Sequence, residues 1–393
     1  MPEARLTNSI AVVTSIDLAE PNACIANIGG VAQGLAQSGY KVTILAPTPS
    51  TNQLAFDFAT IGVDVRLSPS TRRFGLTNTF AFVLMLPALW AAQHSDRISI
   101  FYIRYSPLSL LAASFLKLFG RAFVVSEHNG WLATEAAQHG YSNWLCRLGG
   151  ATQRIDAKLA DIVRVVSSDI ADKLVKQGIP RNKIFVSENA TMTGRLRPID
   201  RATAMERSGL DPNRVWAGFM GTLNKWQGVE LALKAFAKLK DRCPQLSFVI
   251  AGDGPAKLEL EALASRLQVS DRTRFLGWIM LDQANDVMNS FDIALAPFPG
   301  SRPIGSPVKL RDYAAAGRAI IASDFPAIRR IASTDWVTLY RCDDVDDLAD
   351  KIQQLVEDPA LRGRMATRSR EVAEAQFDWN PVIADIVKHL PPR

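Results

Sequence analysis

The chain has 393 residues, a length suited to two domains, and its 48% hydrophobic and 21% charged residues are the proportions of a folded protein with a large core. The formal net charge of +6 admits anionic partners such as diphosphates, acidic lipid head groups or nucleic acid. Lys and Arg do not cluster with aromatic residues along one stretch, which makes nucleic acid the least supported of the three. The four cysteines, Cys24, Cys146, Cys243 and Cys342, are far apart and form no CxxC pair, so neither a zinc ribbon nor a disulfide framework is expected.

From the start of the chain, Met1–Asn8 is polar and the apolar stretch Ile10–Ile16 is too short for an export signal, so a cytoplasmic protein is expected. No run reaches the roughly 18–20 apolar residues of a membrane-spanning helix. The nearest, Phe80–Ala92, is interrupted by Pro87 and preceded by Arg72 and Arg73. Strands are predicted over Ile10–Thr14, Lys41–Ala46, Val63–Leu67, Ile98–Ile103, Ala122–Ser126 and Ile162–Val166. They continue over Val215–Met220, Ser247–Ala251, Thr273–Leu276, Ile293–Ala296, Ala319–Ala322 and Trp336–Tyr340. Most are β-branched and apolar without polar alternation, the pattern of parallel strands buried on both faces. Helical patterns such as Val229–Leu239, Ala256–Leu267, Asp346–Glu357 and Pro359–Phe377 lie between or after them.

Such alternation predicts an α/β protein of two Rossmann-like, doubly wound domains facing a cleft. The interrupted pattern around Arg195–Asp211 places the domains at 1–200 and 201–375, with 376–393 expected to pack back on the first. Ligands of open α/β sheets bind beyond the carboxyl ends of the strands, so the loops that follow strands are the place to look.

Four such loops carry chemistry. Gly221–Gly228 (GTLNKWQG) joins a strand to a helix; it offers backbone N–H groups and the helix dipole to an anion, with Lys225 as a point charge. Gly252–Asp253–Gly254–Pro255 lacks the third glycine of a dinucleotide fingerprint, Lys257 standing in its place, and reads as a tight turn. In the segment 298–317, Gly305 and Ser306 precede a helix with Lys309 in its first turn, where a cation opposes the dipole unless an anion binds there. Asp312, about one turn further on, suits two ribose hydroxyls. The fourth loop, Ser126–Gly130 (SEHNG), puts His128 at a strand's carboxyl end. Asp344–Val345–Asp346 has the form of a metal-binding DxD, but Asp343–Asp347 is better placed as the acidic start of a helix.

Taken in order, GTLNKWQGVELALKAF, FVIAGDGPAKLELEALA, RFLGW and SPVKLRDYAAAGRAIIASDFPAIRRI resemble the group-1 glycosyltransferases (glycosyltransferase family 4). ANIGGVAQGLAQSGYKVTILAP, VVSEHNGW, ADIVRVVSSDIADKLVKQGIPRNKIFVSENA and the closing FDW agree more loosely. The resemblance implies a GT-B fold, a nucleotide-diphosphate sugar donor as substrate, retention at the anomeric carbon, and neither a catalytic metal nor a separate cofactor. By position it implies that Asp312 holds the donor ribose, that the Gly305–Ser306 backbone and Lys309 form the donor loop, and that backbone at Trp278 and Ile279 holds the base. Gly221, Thr222, Lys225, Gln227 and Gly228 would then face the diphosphate, with Gly30 in or near a loop meeting it from the first domain. His128 matches a histidine near the transferred sugar.

The chain departs from the family pattern where Ile304 replaces an acidic residue, Thr222 and Gln227 replace two basic ones, and Asp312 stands for a longer Glu. The expected partners are a nucleotide sugar and a glycan, lipid-linked or small-molecule acceptor. The apolar stretches Phe80–Ala92 and Ser109–Phe119, beside Arg72, Arg73 and Lys117, leave room for peripheral contact with the inner face of the membrane, core burial being the alternative. Two other functions stay open: a nucleotide-sugar epimerase or hydrolase on the same fold, with Glu127 the evident acid/base, and a non-catalytic nucleotide-sugar-binding relative.

Overall fold

The computed structural model describes residues 8–20, 23–70, 80–120, 122–134, 142–301 and 307–392. The chain forms two compact units. One runs to Asn189 and takes in the end of the chain from Trp379; the other is Ala190–Asp378. The border thus lies ahead of the 200/201 position suggested by the break in pattern.

In the first unit β1 (Ser9–Val13), β2 (Lys41–Pro47), β3 (Asp64–Ser68), β4 (Ile100–Arg104), β5 (Phe123–His128), β6 (Ile162–Val165) and β7 (Ile184–Val186) form a parallel sheet in the order 3-2-1-4-5-6-7. In the second, β8 (Val215–Met220), β9 (Leu246–Ala251), β10 (Thr273–Gly277), β11 (Ile293–Ala296), β12 (Ala319–Ser323) and β13 (Val337–Tyr340) give the order 10-9-8-11-12-13, again all parallel. Every expected strand is present, because a central parallel strand buries both faces and is written as an unbroken apolar run: β9 and β12 are buried at every position. Strand order reverses between β1 and β4 and between β8 and β11. In the second unit the loops leaving that switch point are the Gly221 loop and the segment that ends in Lys309, the place where an open α/β sheet takes its ligand.

Two expectations about local structure are decided here. Gly30 does not lie in a loop: it sits within the helix Ala23–Gln37, and a Cβ there would come within 2.2 Å of the Trp379 indole. The glycine admits the C-terminal helix Trp379–Lys388 to close packing, a structural requirement of the first unit. Asp344 caps the helix Val345–Glu357, its carboxylate accepting from the Asp347 N–H at 2.9 Å, so the DVD sequence is a helix start.

The stretches weighed for a membrane surface bury Phe82, Met85, Leu89, Ala112, Ala113 and Leu116 in the first unit's core. Among the described residues no helix is long and apolar enough to cross a membrane.

Candidate functional site

The helix Val308–Ala315 is fastened to the end of β8 by two side chains. Tyr313 Oη accepts from the Met220 N–H at 2.8 Å, and Lys309 Nζ donates to the Met220 carbonyl. The ammonium also lies 3.6 Å from the centroid of the Phe219 ring, a cation–π contact that steadies the charge without neutralising it. Gly221 follows directly with φ +147°, and a Cβ on it would stand 2.6 Å from Lys309 Nζ. Only glycine lets the loop start this close to the cation.

From Gly221 the loop is held open by its neighbours. Gly221 N–H donates to Ala251 O at 2.9 Å, Leu223 N–H to Asp253 O at 2.9 Å, and Gly252 N–H to Gly277 O at 2.7 Å. The carboxyl ends of β8, β9 and β10 are thereby tied together; the turn expected at Gly252–Pro255 falls instead at Gly254–Lys257, where the Lys257 N–H donates to Gly254 O at 3.0 Å, and the helix starts at Lys257 rather than at Pro255. Asp253 pairs with Lys257 at 3.0 Å.

Asp312 lies one turn beyond Lys309, half-buried, with its Oδ1 accepting from Thr191 Oγ1 at 2.6 Å. Burial pushes its carboxyl up to about 6, against the opposing pull of the Thr191 hydroxyl and the charges of Lys309 and Arg311. A carboxylate so placed has a strong demand for hydroxyl donors, and Oδ2 is the oxygen Thr191 leaves for them.

The other residues singled out in the sequence separate. Gln227 is buried and its Oε1 meets no donor among the described residues, while Thr222 is half-buried. Gly228 ends a short turn at the start of the helix Val229–Lys238. Lys225 projects outward and pairs with Glu259 at 3.1 Å, so its charge is engaged on the surface rather than beside Lys309. Trp278 follows β10 half exposed, and Ile279 packs on the second unit's core. Gly305, Ser306 and Ile304 lie outside the described residues.

In the first unit His128 ends β5 fully buried. Its Nδ1 lies 2.9 Å from Gln153 Nε2, and its Nε2 2.9 Å from Ser126 Oγ and 3.3 Å from Asp156 Oδ2. Gln153 can only donate through its amide nitrogen, so Nδ1 accepts and Nε2 carries the proton toward Ser126 and Asp156. Tyr105 stacks on the ring with centroids 4.7 Å apart. Both nitrogens are engaged inside the unit, and the imidazole's effect passes through the backbone turn that follows it: Gln153 Nε2 also donates to Gly130 O at 2.9 Å.

Glu127 is buried between Arg104 at 3.0 Å and Arg164 at 3.6 Å. Burial opposes its charge, but the two guanidinium groups, with Asn129 and Tyr102, outweigh it and hold the carboxyl below its ordinary range. A carboxylate fixed in its ionised form is poorly suited to give and take protons, which weakens the epimerase reading.

Sequence reasoning missed Thr191, Gln153, Asp156 and Tyr313. Each acts through a partner at least fifteen residues away, and no local pattern marks such pairs. Among the described residues no group of three or more His, Cys, Asp or Glu could hold a metal ion.

Two family models match: "Glycosyl transferases group 1" over residues 214–358 and "Glycosyl transferase 4-like domain" over residues 26–190. A phosphatidyl-myo-inositol mannosyltransferase of Mycolicibacterium smegmatis is 33% identical over 163 residues, 41% of each chain. An alpha-D-kanosaminyltransferase of Streptomyces kanamyceticus is 27% identical over 181 residues, 45% of each chain. The matched region is therefore less than half of these relatives' length. Among solved structures, the sucrose-phosphate synthase of Thermosynechococcus elongatus aligns with a TM-score of 0.78 at 16% identity, covering 97% of both chains. Anabaena HepE in complex with UDP and glucose aligns at 0.73 with 16% identity, covering 96% of this chain and 98% of that one. At such identities the likeness shows the two-domain GT-B fold.

Proposed function

This chain belongs to the group-1 glycosyltransferases, and from that premise we propose that it moves a sugar from a nucleoside-diphosphate donor to an acceptor hydroxyl with retention of configuration. The observation that carries the reading is the meeting of Lys309 with the Gly221 loop at the switch point of the second sheet, one turn from Asp312.

Breaking the anomeric bond develops positive charge on the sugar ring and negative charge on the leaving diphosphate. In this reading Lys309 and the Thr222 N–H of the Gly221 loop meet the diphosphate, in place of a metal. Lys309 stands at the loop before any ligand arrives, so little ordering is spent on binding. Asp312 Oδ2 accepts from the donor ribose, and backbone at Trp278 and Ile279 holds the base. The leaving phosphate oxygen takes the acceptor's proton as the hydroxyl attacks from the same face. His128, with both nitrogens engaged, sets the Asn129–Gly130 turn near the transferred sugar rather than carrying protons.

Related proteins glycosylate phosphatidyl-myo-inositol and D-inositol 3-phosphate, which supports an acceptor among glycans, lipid-linked compounds and small polyols. The test is calorimetric titration with nucleoside diphosphates. Asp312→Ala should lower affinity by roughly 1–3 kcal/mol, the range for a lost charged hydrogen bond. Unchanged affinity removes Asp312 from the donor site.

A further inference from the structure

The helical stretch formed by Ala81–Leu84 and Leu86–His94 turns Phe82, Met85, Leu89 and Ala92 into the first unit's core. At 100° per residue, Phe80, Val83, Pro87, Trp90 and His94 fall within about 80° of one another on the opposite side, and all are exposed. No Asp, Glu, Lys or Arg stands between Phe80 and His94. A solvated helix face is ordinarily polar or charged; this one is apolar along its length. The helix Ser109–Leu118 packs alongside and widens the face. Trp90 meets Phe115 with ring centroids 6.2 Å apart and Phe119 at 6.4 Å, while Leu118 and Phe119 are 78% and 57% exposed. Two charges at the border, Asp96 and Lys117, are paired with Arg66 and Asp161.

We propose that this face is where two copies of the chain meet about a two-fold axis. Large apolar side chains present roughly 150–250 Å² each when free, so Phe80, Val83, Trp90, Leu118 and Phe119, from 42% to 78% exposed, offer about 500 Å². A patch of that size is at the upper end of what a monomer shows. A two-fold contact buries it on both copies, about 1,000 Å² before the half-exposed Leu84, Leu86 and Ala91 are added, which is the size of a specific interface. Aromatic rings and an absence of charge are also what the core of an interface carries. Because no exposed side chain of the face is a Lys, Arg, Asp or Glu, setting it against itself opposes no like charges. A bilayer is the poorer occupant, since an in-plane helix relies on Lys and Arg beside its apolar stripe to meet lipid phosphates. The proposal does not depend on the sugar-transfer reading.

The experiment is sedimentation equilibrium of the full chain over a wide range of protein concentration. Leu118→Glu and Val83→Glu each put a carboxylate into the face, and Leu258→Glu is the control, a leucine of the second unit that is also 78% exposed. The wild type and the control should form a dimer that dilution dissociates. Each face variant should weaken that dimer by roughly tenfold or more, because a two-fold contact sets the new carboxylate in a buried apolar surface on both copies. Far-ultraviolet circular dichroism should stay that of the wild type. A wild type that is monomeric at every concentration overturns the proposal. So does a dimer that the control weakens as much, or that is left unweakened by a face variant with the wild-type spectrum. A monomer that floats with phosphatidylcholine vesicles, and no longer does so in the face variants, would assign the face to a bilayer and overturn it as well.

Discussion

Thr191 Oγ1 donates to Asp312 Oδ1 at 2.6 Å, across 121 positions of sequence. Thr191 is itself fixed by its N–H, which donates to Phe377 O at 2.8 Å, and by a bridge to Asp378. One oxygen of the carboxylate is thus positioned by the protein.

That contact predicts a shift in the pH dependence of donor binding. Replacing Thr191 by Val removes a hydrogen bond that favours the ionised form, so the Asp312 carboxyl should move above about 6. Nucleotide affinity should weaken by about 1–2 kcal/mol at neutral pH, its acid midpoint should rise, and Thr191→Ser should restore both. Calorimetry across a pH series reads the result; an unmoved midpoint in the Val variant would deny the coupling.

Asp312 also costs the free protein stability. Its folded pKa is raised above the unfolded value of 3.8, so the folded state binds more protons and stability falls as pH rises from about 4 through about 6. Asp312→Asn should therefore be more stable at pH 7 by roughly 1–2 kcal/mol, with the advantage vanishing near pH 4. Urea unfolding at the two pH values measures this, and equal gains at both would contradict it.

Lys309→Ala should separate phosphate from nucleoside. The ammonium is held at the Gly221 loop by Phe219 and the Met220 carbonyl, so its loss should weaken nucleoside diphosphate by about 1.5–3 kcal/mol and leave nucleoside affinity unchanged. Paired titrations decide; equal losses for both ligands would take Lys309 off the phosphates and make Lys225 the next to test, once freed from Glu259.

Glu127→Gln should destabilise the first unit by about 3–5 kcal/mol, because Arg104 and Arg164 would keep buried charges with no counter-ion. A variant that melts like the wild type yet turns over no donor would instead return Glu127 to the chemistry.

Much of the fold was legible because its physics is local. Runs such as Leu246–Ala251 and Ala319–Ser323 can be little other than strands buried on both faces. β7, only Ile184–Val186 at the edge of its sheet, is too short to leave such a run. The glycine and lysine of the second unit's switch point were also legible, since a glycine after a strand and a cation at a helix start are each costly without a reason. Gly30 misled, because close helix packing calls for a glycine as firmly as a phosphate loop does. Thr191 left no trace, its role existing only once the chain has folded around Asp312.

The central claim is sugar transfer, and turnover tests it most directly. The full chain would be incubated with a panel of nucleotide-diphosphate sugars, with and without polyol, glycan and lipid-linked acceptors, in the presence of a chelator. Nucleotide release and the mass of the acceptor would be followed together. The account predicts that one donor is consumed faster when one acceptor class is present, that this acceptor gains one sugar, and that the chelator changes nothing. Nucleotide release that is independent of every acceptor, or turnover that stops in chelator and returns with manganese or magnesium, would contradict it.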